Sequence, residues 1–353
     1  MMTSKERFKR MYEHKEADRI PIIDSPWRGT FRRWYKEGLP RDIEWTKYFD
    51  IDLTAGIGGN YSPRYPTQIL EETDTYTIHT TAWGGTQKSF KFEDSTPEFI
   101  DFKVKTPEAW EEAKARMKYS DDRVNWDHLA KNYDRWVAEG RWISANFWFG
   151  FDVTHSRLVG TEDFLVAMHE EPDWVMDMFD TYLNLSIEIF EHIMARGYRF
   201  DCIHWPDDMG YKNTMFFSNE MYRELLKPFH KKACDWAHER GLYVHLHSCG
   251  NIMDRIDDLI EIGVNALNPL EVKAGMRPLE LKEKYGDKLA FHGGINAVLW
   301  DDKEAIIEEI RKYVPRMKEN GGYIFSSDHS IPNSVSLENF TAIVEEVKRL
   351  GAY

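Results

Sequence analysis

The feature that most constrains the fold of this chain is a regular alternation of short apolar runs with amphipathic stretches, which begins near residue 140. An alternation of this kind predicts parallel strands that are joined by helical crossovers. The predicted strands lie at residues 142–147, 200–205, 242–246, 264–270, 289–293 and 323–326. The predicted helices lie at residues 161–170, 172–197, 218–240, 253–261, 278–285, 302–319 and 336–350.

A further apolar run at residues 19–24 brings the number of predicted strands close to eight. We therefore predict an α/β fold in which the strands close into a (β/α)8 TIM barrel. A doubly wound open sheet is the alternative. No glycine-rich dinucleotide fingerprint follows any predicted strand, which disfavours that alternative.

The first part of the chain has a different pattern. Residues 3–16 are amphipathic and predict an opening helix, whereas residues 25–59 are dense in aromatic and charged side chains. Residues 62–105 have β-character and predict a hairpin, and residues 106–140 predict two helices. We expect one domain over residues 1–353, with an N-terminal helical and hairpin lid at roughly residues 25–140.

Composition excludes several classes of function. The formal net charge of −14 disfavours binding to nucleic acid or to an anionic membrane surface, since both need a basic protein surface. The chain has no apolar run of about 18 residues and no signal-peptide pattern at its start, so we expect a cytoplasmic protein. Three cysteines are an odd number, which argues against a disulfide framework.

The stretch from residue 243 to residue 251 carries the strongest chemical signal. Side chains alternate between the two faces of a strand, so His245, His247 and Cys249 point to the same side. An imidazole and a thiol at this spacing suit zinc, which prefers nitrogen and sulfur ligands. The alternative is a hydrogen-bonded core histidine next to a small buried thiol.

Polar side chains also follow the other predicted strands. Active-site residues of a barrel collect at the carboxyl ends of its strands, so these side chains are candidates for one site. Some of the acids have the alternative role of helix caps. The candidates at the strand ends are Asp207, Asp208, His247, Cys249, Glu271, His292, Asp328 and His329.

The residues 247–251, which read His-Ser-Cys-Gly-Asn, resemble the His-x-Cys-Gly-Asn stretch of corrinoid-linked zinc methyltransferases in the uroporphyrinogen decarboxylase superfamily. Residues 151–172 and 321–332 are similar to two further segments of that superfamily. The resemblance covers most of the chain from about residue 140 onward. It implies a distorted (β/α)8 barrel, which agrees with the alternation of strands and helices.

The superfamily has two branches with different requirements. The decarboxylases carry Arg-Gln-Ala-Gly-Arg near the N-terminus, and this chain has Arg28-Gly-Thr-Phe-Arg32, which keeps only the arginine spacing. A net charge of −14 is also a poor match for a substrate with many carboxylates. The methyltransferase branch holds zinc with His-x-Cys and a cysteine at the last strand, where this chain has His329.

The resemblance implies that His247, Cys249 and His329 are the zinc ligands. One thiolate and two imidazoles leave a zinc site more positive than two thiolates and one imidazole do, and therefore a stronger Lewis acid. Such a site suits the transfer of a methyl group from a methoxylated aromatic or methylamine-like donor to the cobalt of a separate corrinoid protein. We expect Asp207 or Asp208, and then Glu271, to be the fourth ligand or the proton donor.

Other residues are expected to contact the substrate, namely Arg28, Trp148, His155, Tyr211 and His292. The alternative for Trp148 and the other aromatic residues of this part is packing in the core or the lid. A cofactor-free decarboxylase of a tetrapyrrole or small aromatic acid, which would need Arg28 and Arg32, is the main alternative function. A binding protein without catalytic activity is the third possible function. A homodimer is possible, since dimers are the commonest symmetric assembly.

Overall fold

The structure, a computed structural model, describes residues 2–92 and 96–353. The strands of this described part, in chain order, are β1 Thr54–Gly58, β2 Ile69–Glu72, β3 Tyr76–Thr80, β4 Gly85–Phe90, β5 Glu98–Phe102, β6 Trp142–Asn146, β7 Cys202–Pro206, β8 Tyr243–His247, β9 Ala266–Asn268, β10 Ala290–His292 and β11 Tyr323–Ile324. The α-helices are α1 Ser4–Tyr12, α2 Arg28–Lys36, α3 Trp45–Tyr48, α4 Pro107–Arg116, α5 Trp126–Ala138, α6 Phe151–Val153, α7 Thr161–Glu170, α8 Pro172–Ala195, α9 Asn219–Met221, α10 Lys227–His238, α11 Ile256–Glu261, α12 Pro278–Tyr285, α13 Lys303–Met317 and α14 Leu337–Gly351.

The centre of the fold is a parallel sheet. Within the described residues, seven strands pair in the order β1-β6-β7-β8-β9-β10-β11, and helices connect most of them. The six strands predicted beyond residue 140 are all present, with bounds that differ from the prediction by a few residues. This α/β architecture is consistent with a distorted barrel, which was the first prediction, rather than with a doubly wound open sheet, which was the alternative.

The predicted first strand at residues 19–24 does not form a regular ladder. Ile22 instead makes a single parallel bridge with Phe325, next to β11. On its other side, the carbonyl oxygen of Ile22 accepts a hydrogen bond of 3.0 Å from the backbone of Asp52, close to β1. Pro21 and Pro26 lack the N–H that a ladder needs, which explains why this segment joins the two edges of the sheet through so few bonds.

Strand β1 was not predicted, because its sequence is rich in glycine and glycine has a low β-propensity. Gly56 lies close to a side chain of the neighbouring strand. A Cβ at this position would lie 2.4 Å from Nδ2 of Asn146 on β6. The sequence of β1 therefore lacks the hydrophobic alternation that would have predicted a strand.

The predicted hairpin at residues 62–105 is a larger element. Strands β2 to β5 form a separate antiparallel sheet in sequential order. Its strand β5 lies against the helical turn Thr154–Val159, where a Cβ at Gly160 would lie 2.8 Å from the ring of Phe102. The sheet thus rests beside the carboxyl end of β6, and its function as a lid stays a prediction.

A buried group of charged residues joins the start of the chain to the sheet. Asp52 accepts hydrogen bonds from Arg7 at 2.5 Å, from Arg19 at 2.6 Å and from the backbone of Ile22 at 2.9 Å. Its side chain is fully buried.

None of the described helices is both long enough and apolar enough to cross a membrane.

We expect Asp52→Asn to lower the free energy of unfolding by about 2 kcal/mol, because the buried Arg7 guanidinium then keeps only the Asp18 carboxylate and Arg19 loses its ion pair with Asp52. Asp50→Asn is the matched control, since the Asp50 carboxylate is exposed and pairs with Lys348 at the surface. The control should change the free energy of unfolding by less than about 1 kcal/mol. Urea denaturation followed by circular dichroism measures both, and equal effects would contradict the role of Asp52.

Candidate active site

Three potential metal ligands meet at the carboxyl ends of β7 and β8. Asp208, His247 and Cys249 are the one group of three or more His, Cys, Asp or Glu residues within residues 2–92 and 96–353 whose ligand atoms all lie within 4.8 Å of one another. Sγ of Cys249 lies 3.4 Å from Nε2 of His247. Oδ1 of Asp208 lies 3.5 Å from the same nitrogen.

Two glycines allow this convergence. Gly250 has φ +79°, a backbone conformation that is unfavourable for other residues. A Cβ at Gly250 would lie 2.2 Å from the carbonyl carbon of Gly210, so the loops after β7 and β8 touch through bare backbone. The contact brings Asp208 beside Cys249, whose backbone N–H donates a hydrogen bond of 2.8 Å to Oδ1 of Asp208.

The imidazole of His247 is oriented for ligation. Its Nδ1 lies 2.5 Å from the side-chain oxygen of Asn268 on β9. Because this oxygen accepts hydrogen bonds, it assigns the ring proton to Nδ1 and leaves the lone pair of Nε2 directed at Cys249 and Asp208. Asn268 is itself held by a hydrogen bond of 3.3 Å to the carbonyl oxygen of His292. A carbonyl on the far nitrogen is the usual support of a metal-binding histidine.

The group fits zinc. Tetrahedral zinc with bonds of about 2.0 Å to nitrogen and 2.3 Å to sulfur separates these ligands by about 3.5 Å, close to the distance between His247 and Cys249. Burial, together with the nearby carboxylates of Asp208 and Glu271, raises the pKa of the Cys249 thiol well above its ordinary value. A bound cation is what would let this thiol ionise at neutral pH.

A cavity of about 470 Å³ opens beside this group. Asp208 and Cys249 lie in its wall, and the backbone of Gly250 donates a hydrogen bond of 2.7 Å to Glu271. The other residues of the wall that carry chemistry are Asp152, His155, Tyr211, Lys212, Phe216 and Lys273. Of the predicted site residues, the structure therefore brings Asp208, Cys249, Glu271, His155 and Tyr211 to one cavity.

Asp152 was missed by the sequence analysis. It lies in α6, the short helix that follows β6, so the strand-end rule covers Asp152 as well as His155, which was predicted. Burial, with the charges of Asp208 and Asp207, raises the pKa of Asp152 to about 7. Burial lowers the pKa of the neighbouring His155 to about 4, so that imidazole is neutral at pH 7.

Asp207 is not placed as a group that meets a substrate. Its side chain is fully buried, and its Oδ2 lies 2.7 Å from Nε2 of His230. Its Oδ1 accepts a hydrogen bond of 2.7 Å from the backbone of Asp152. A Cβ at Gly150 would lie 2.3 Å from Oδ2 of Asp207, so the loop after β6 wraps directly around this carboxyl. Asp207 was predicted to be the fourth metal ligand or the proton donor, and the structure instead directs its carboxyl group at His230 and at the backbone of Asp152.

His329 is also placed differently from the prediction. It lies in the exposed loop after β11, with its ring centroid 6.4 Å from that of Trp27. It does not belong to the group formed by Asp208, His247 and Cys249. Asp208, and not His329, is therefore the third potential ligand that the structure places beside His247 and Cys249. Strand alternation predicts which loop a residue is in but not where an irregular loop places its side chain.

His292 lies inside the barrel, not in the wall of the cavity. Its Nδ1 is 3.4 Å from Nε2 of His245, and the hydroxyl of Tyr12 lies 2.8 Å from the other nitrogen of His245. His204 completes this layer, with its ring centroid 5.2 Å from that of His245. Burial lowers the pKa of His204 and His292 to about 3, so both rings are neutral. The predicted substrate contact of His292 is replaced by an interior polar layer beneath His247.

The remaining predicted substrate residues lie at the edges of the site. Trp148 follows β6, and its indole lies beside Asp152. Arg28 is exposed at the start of α2 and is not in the wall of the cavity. The prediction that Arg28 contacts the substrate came only from the resemblance of residues 28–32 to a family motif.

Comparison with known proteins agrees with this architecture. The family described as Uroporphyrinogen decarboxylase (URO-D) matches residues 153–350, which is more than half of the chain. The chain belongs to the URO-D family. A solved structure described as a methyltransferase from Methanosarcina mazei has a similar fold, with a TM-score of 0.68, 16% identity and coverage of 99% of both chains. No curated protein matches the chain in sequence.

The pKa of Asp152 gives a direct test of the geometry in this URO-D family member. We expect the Asp152 carboxyl of the metal-free protein to titrate near pH 7, as followed by carbon NMR with labelled aspartate. Asp208→Asn should lower that pKa, because it removes the negative charge that repels ionised Asp152. The exposed Glu162→Gln serves as control and should leave it unchanged. An Asp152 pKa near 4 in the unaltered protein would contradict the burial of this carboxyl.

Proposed function

We propose that this protein is a zinc-dependent methyltransferase that moves a methyl group from a small methylated donor to the cobalt of a partner corrinoid protein. The observation that carries the proposal is the convergence of Asp208, His247 and Cys249 at the carboxyl ends of parallel strands, with Asp208 and Cys249 in the wall of a cavity. Imidazole, thiolate and carboxylate are ligands that zinc accepts, and three of them leave a coordination position for a substrate. The name of the structurally similar methyltransferase supports the same reaction class.

The proposed ligand set is His247, Cys249 and Asp208, and His329, which lies outside this group, is the alternative third ligand. Zinc, when bound, would act as a Lewis acid that stabilises the negative charge on the leaving oxygen of the donor. Asn268 keeps the Nε2 lone pair of His247 available because its side-chain oxygen accepts a hydrogen bond from Nδ1–H. The glycine contact between the two loops keeps Cys249 and Asp208 together.

The acids of the cavity would supply the proton that the reaction needs. The bond between the methyl carbon and the donor oxygen breaks, its electron pair stays on the oxygen, and the oxygen takes a proton. The electron pair of reduced cobalt, Co(I), forms the new bond to carbon. Asp152 is the first candidate for the proton donor because it lies in the cavity wall, and Glu271 is the second.

The rest of the cavity wall would hold the donor. Tyr211 and Phe216 lie with their ring centroids 5.4 Å apart and present apolar surface beside the metal ligands. We further propose that the corrinoid partner approaches the open end of this cavity, at the carboxyl ends of the strands. Residues 25–140 would then act as the cover of the site within a single functional unit.

The alternative is a decarboxylase, which the name of the matching family favours. It would require Arg28 and Arg32 and would work without metal. Arg28 does not line the cavity, whereas Asp208 and Cys249 do. The methyltransferase therefore accounts for more of the residues that the fold brings together.

Metal analysis is the first experiment. We expect the purified protein to bind one zinc ion, as measured by inductively coupled plasma mass spectrometry after dialysis. Cys249→Ser and His247→Ala should lower the affinity for zinc by at least about tenfold, because each removes a ligand. Cys234→Ser and His128→Ala are matched controls, since Cys234 is buried in α10 and His128 lies on α5, and neither belongs to the ligand group.

Two further variants of the same assay separate the ligand sets. Asp208→Asn should weaken zinc binding more than His329→Ala does, because only Asp208 lies in the group. The reverse order would show that the loop after β11 closes onto the metal. Zinc binding that no variant weakens would overturn the proposed site.

The reaction itself is tested with free cobalamin reduced to Co(I), which replaces the partner protein. We expect methylated donors to cause loss of the Co(I) absorption band in the presence of the zinc-loaded protein. Cys249→Ser should reduce the rate by at least about a hundredfold, whereas Cys234→Ser should not. Release of carbon dioxide from a tetrapyrrole or aromatic acid without metal, and dependence on Arg28 and Arg32, would instead establish the decarboxylase.

A further inference from the structure

In the part of the chain that the structure describes, five carboxylates link the loops at the carboxyl edge of the parallel sheet to one another. Each of them follows a strand or ends the segment at residues 19–24, and each accepts a hydrogen bond from the backbone N–H of a different loop. The donor–acceptor distances lie between 2.7 and 2.9 Å. We call this set the carboxylate series, and its members are Asp24, Asp207, Asp208, Glu271 and Asp328.

The member of the series that follows β9, Glu271, acts on the loop that carries Cys249. The backbone N–H of Gly250 donates a hydrogen bond of 2.7 Å to Oε2 of Glu271, and that of Cys249 donates one of 2.8 Å to Oδ1 of Asp208. The peptide groups on the two sides of the Cys249 Cα are thus both held by carboxylates. Because each peptide group is planar, this fixes the two backbone dihedrals of Cys249. The direction of its side chain, whose Sγ lies 3.4 Å from Nε2 of His247, follows from them.

The contacts of Glu271 are those of an acceptor. Its Oε2 faces the N–H of Gly250, and its Oε1 lies 3.3 Å from Nζ of Lys273. Neither an N–H group nor an ammonium group can accept a hydrogen bond, so this arrangement suits an ionised carboxylate that has no proton to donate. Glu271 also lies outside the group of potential metal ligands.

Asp328 fixes the backbone from which Glu271 extends. Its Oδ2 accepts a hydrogen bond of 2.9 Å from the N–H of Val272, and its Oδ1 accepts one of 2.7 Å from the N–H of Ala297. The side chain of Asp328 is fully buried. The loop after β9 is thereby tied to the loops after β10 and β11, and Glu271 reaches Gly250 from a backbone that is itself held.

We propose that Glu271 is a positioning residue, which holds the peptide group between Cys249 and Gly250 so that the Cys249 thiol meets the other metal ligands. This inference rests on the proposed function, since it assigns the part of Glu271 in that site. It leaves Asp152 as the proton donor of the reaction. The properties of Glu271 that matter are its length and its acceptor oxygen, and not its acidity.

Two conservative variants separate these properties. Glu271→Gln keeps the length of the side chain and an oxygen that accepts from the Gly250 N–H, but its amide is not an acid. Glu271→Asp keeps the acid but is one methylene shorter, so its oxygens no longer reach Gly250. Glu280→Gln and Glu280→Asp are the matched controls, since Glu280 is exposed on α12 and pairs with Arg277 at 3.0 Å.

The first measurement needs no metal. Hydrogen exchange of the Gly250 amide is followed by NMR in the metal-free full-length protein. Glu271→Asp should raise the exchange rate by about tenfold, because the hydrogen bond that protects this amide is lost. Glu271→Gln and both Glu280 variants should leave the rate close to that of the unaltered protein. Glu271→Ala, which also lacks the acceptor, replaces Glu271→Asp if the latter does not fold.

The second measurement is the binding of Co(II) ions, which replace zinc and whose absorption spectrum reports thiolate coordination. Glu271→Asp should lower the affinity by at least about tenfold, because Cys249 is no longer held toward the other ligands. Glu271→Gln should bind as the unaltered protein does. A tenfold loss in Glu271→Gln would make the charge of Glu271 the important property and would overturn the inference. Unchanged affinity in Glu271→Asp would overturn it as well.

The outcomes separate the inference from the proposed function. Faster exchange of the Gly250 amide in Glu271→Asp, in a protein that binds neither zinc nor Co(II), would support the positioning of this loop by Glu271 and overturn the zinc-dependent methyltransferase. Methyl transfer to Co(I) cobalamin that is lost in Glu271→Gln, with exchange and Co(II) binding unchanged, would support the methyltransferase. It would overturn the inference, because Glu271 would then be the proton donor.

Discussion

The contact between the backbones of Gly210 and Gly250 is the constraint on which the candidate site depends. It lets two loops from neighbouring strands meet without side chains between them, which no other residue pair permits at this distance. Asp208 and Cys249 are carried to each other by this contact, and His247 is already fixed by the end of β8. The ligand geometry is thus a property of two loops more than of the strands that carry them.

The same site depends on groups that no substrate would touch. Asp207 and His230 form a buried pair that holds the loop after β6 through the backbone of Asp152. Asn268 accepts a hydrogen bond from His247 and thereby determines which ring nitrogen carries the proton. Residues of this kind position other side chains. A sequence does not show which acids and imidazoles at the strand ends are buried behind the cavity, so it does not distinguish positioning residues from catalytic residues.

Much of the fold could be predicted from the sequence, because helix and strand periods are local properties. The strands beyond residue 140 were found, but β1 was hidden by glycines and the segment at residues 19–24 was weakened by prolines. For the site, the alternation of a strand identified His247 and Cys249 together. The position of His329 outside the candidate metal group depends on the path of its loop. The contact of Trp83 with Trp148 depends on the packing of two sheets. No local sequence pattern contains either kind of information.

The interior imidazole layer has a consequence for how this protein is handled. Tyr12 of α1 reaches His245, which stands one alternation below His247 on the same strand. The first helix therefore packs at the lower end of the barrel and supports the strand that carries His247. Handling that disturbs α1, such as proteolysis within this helix, would therefore act on β8 from the end opposite to the candidate metal group.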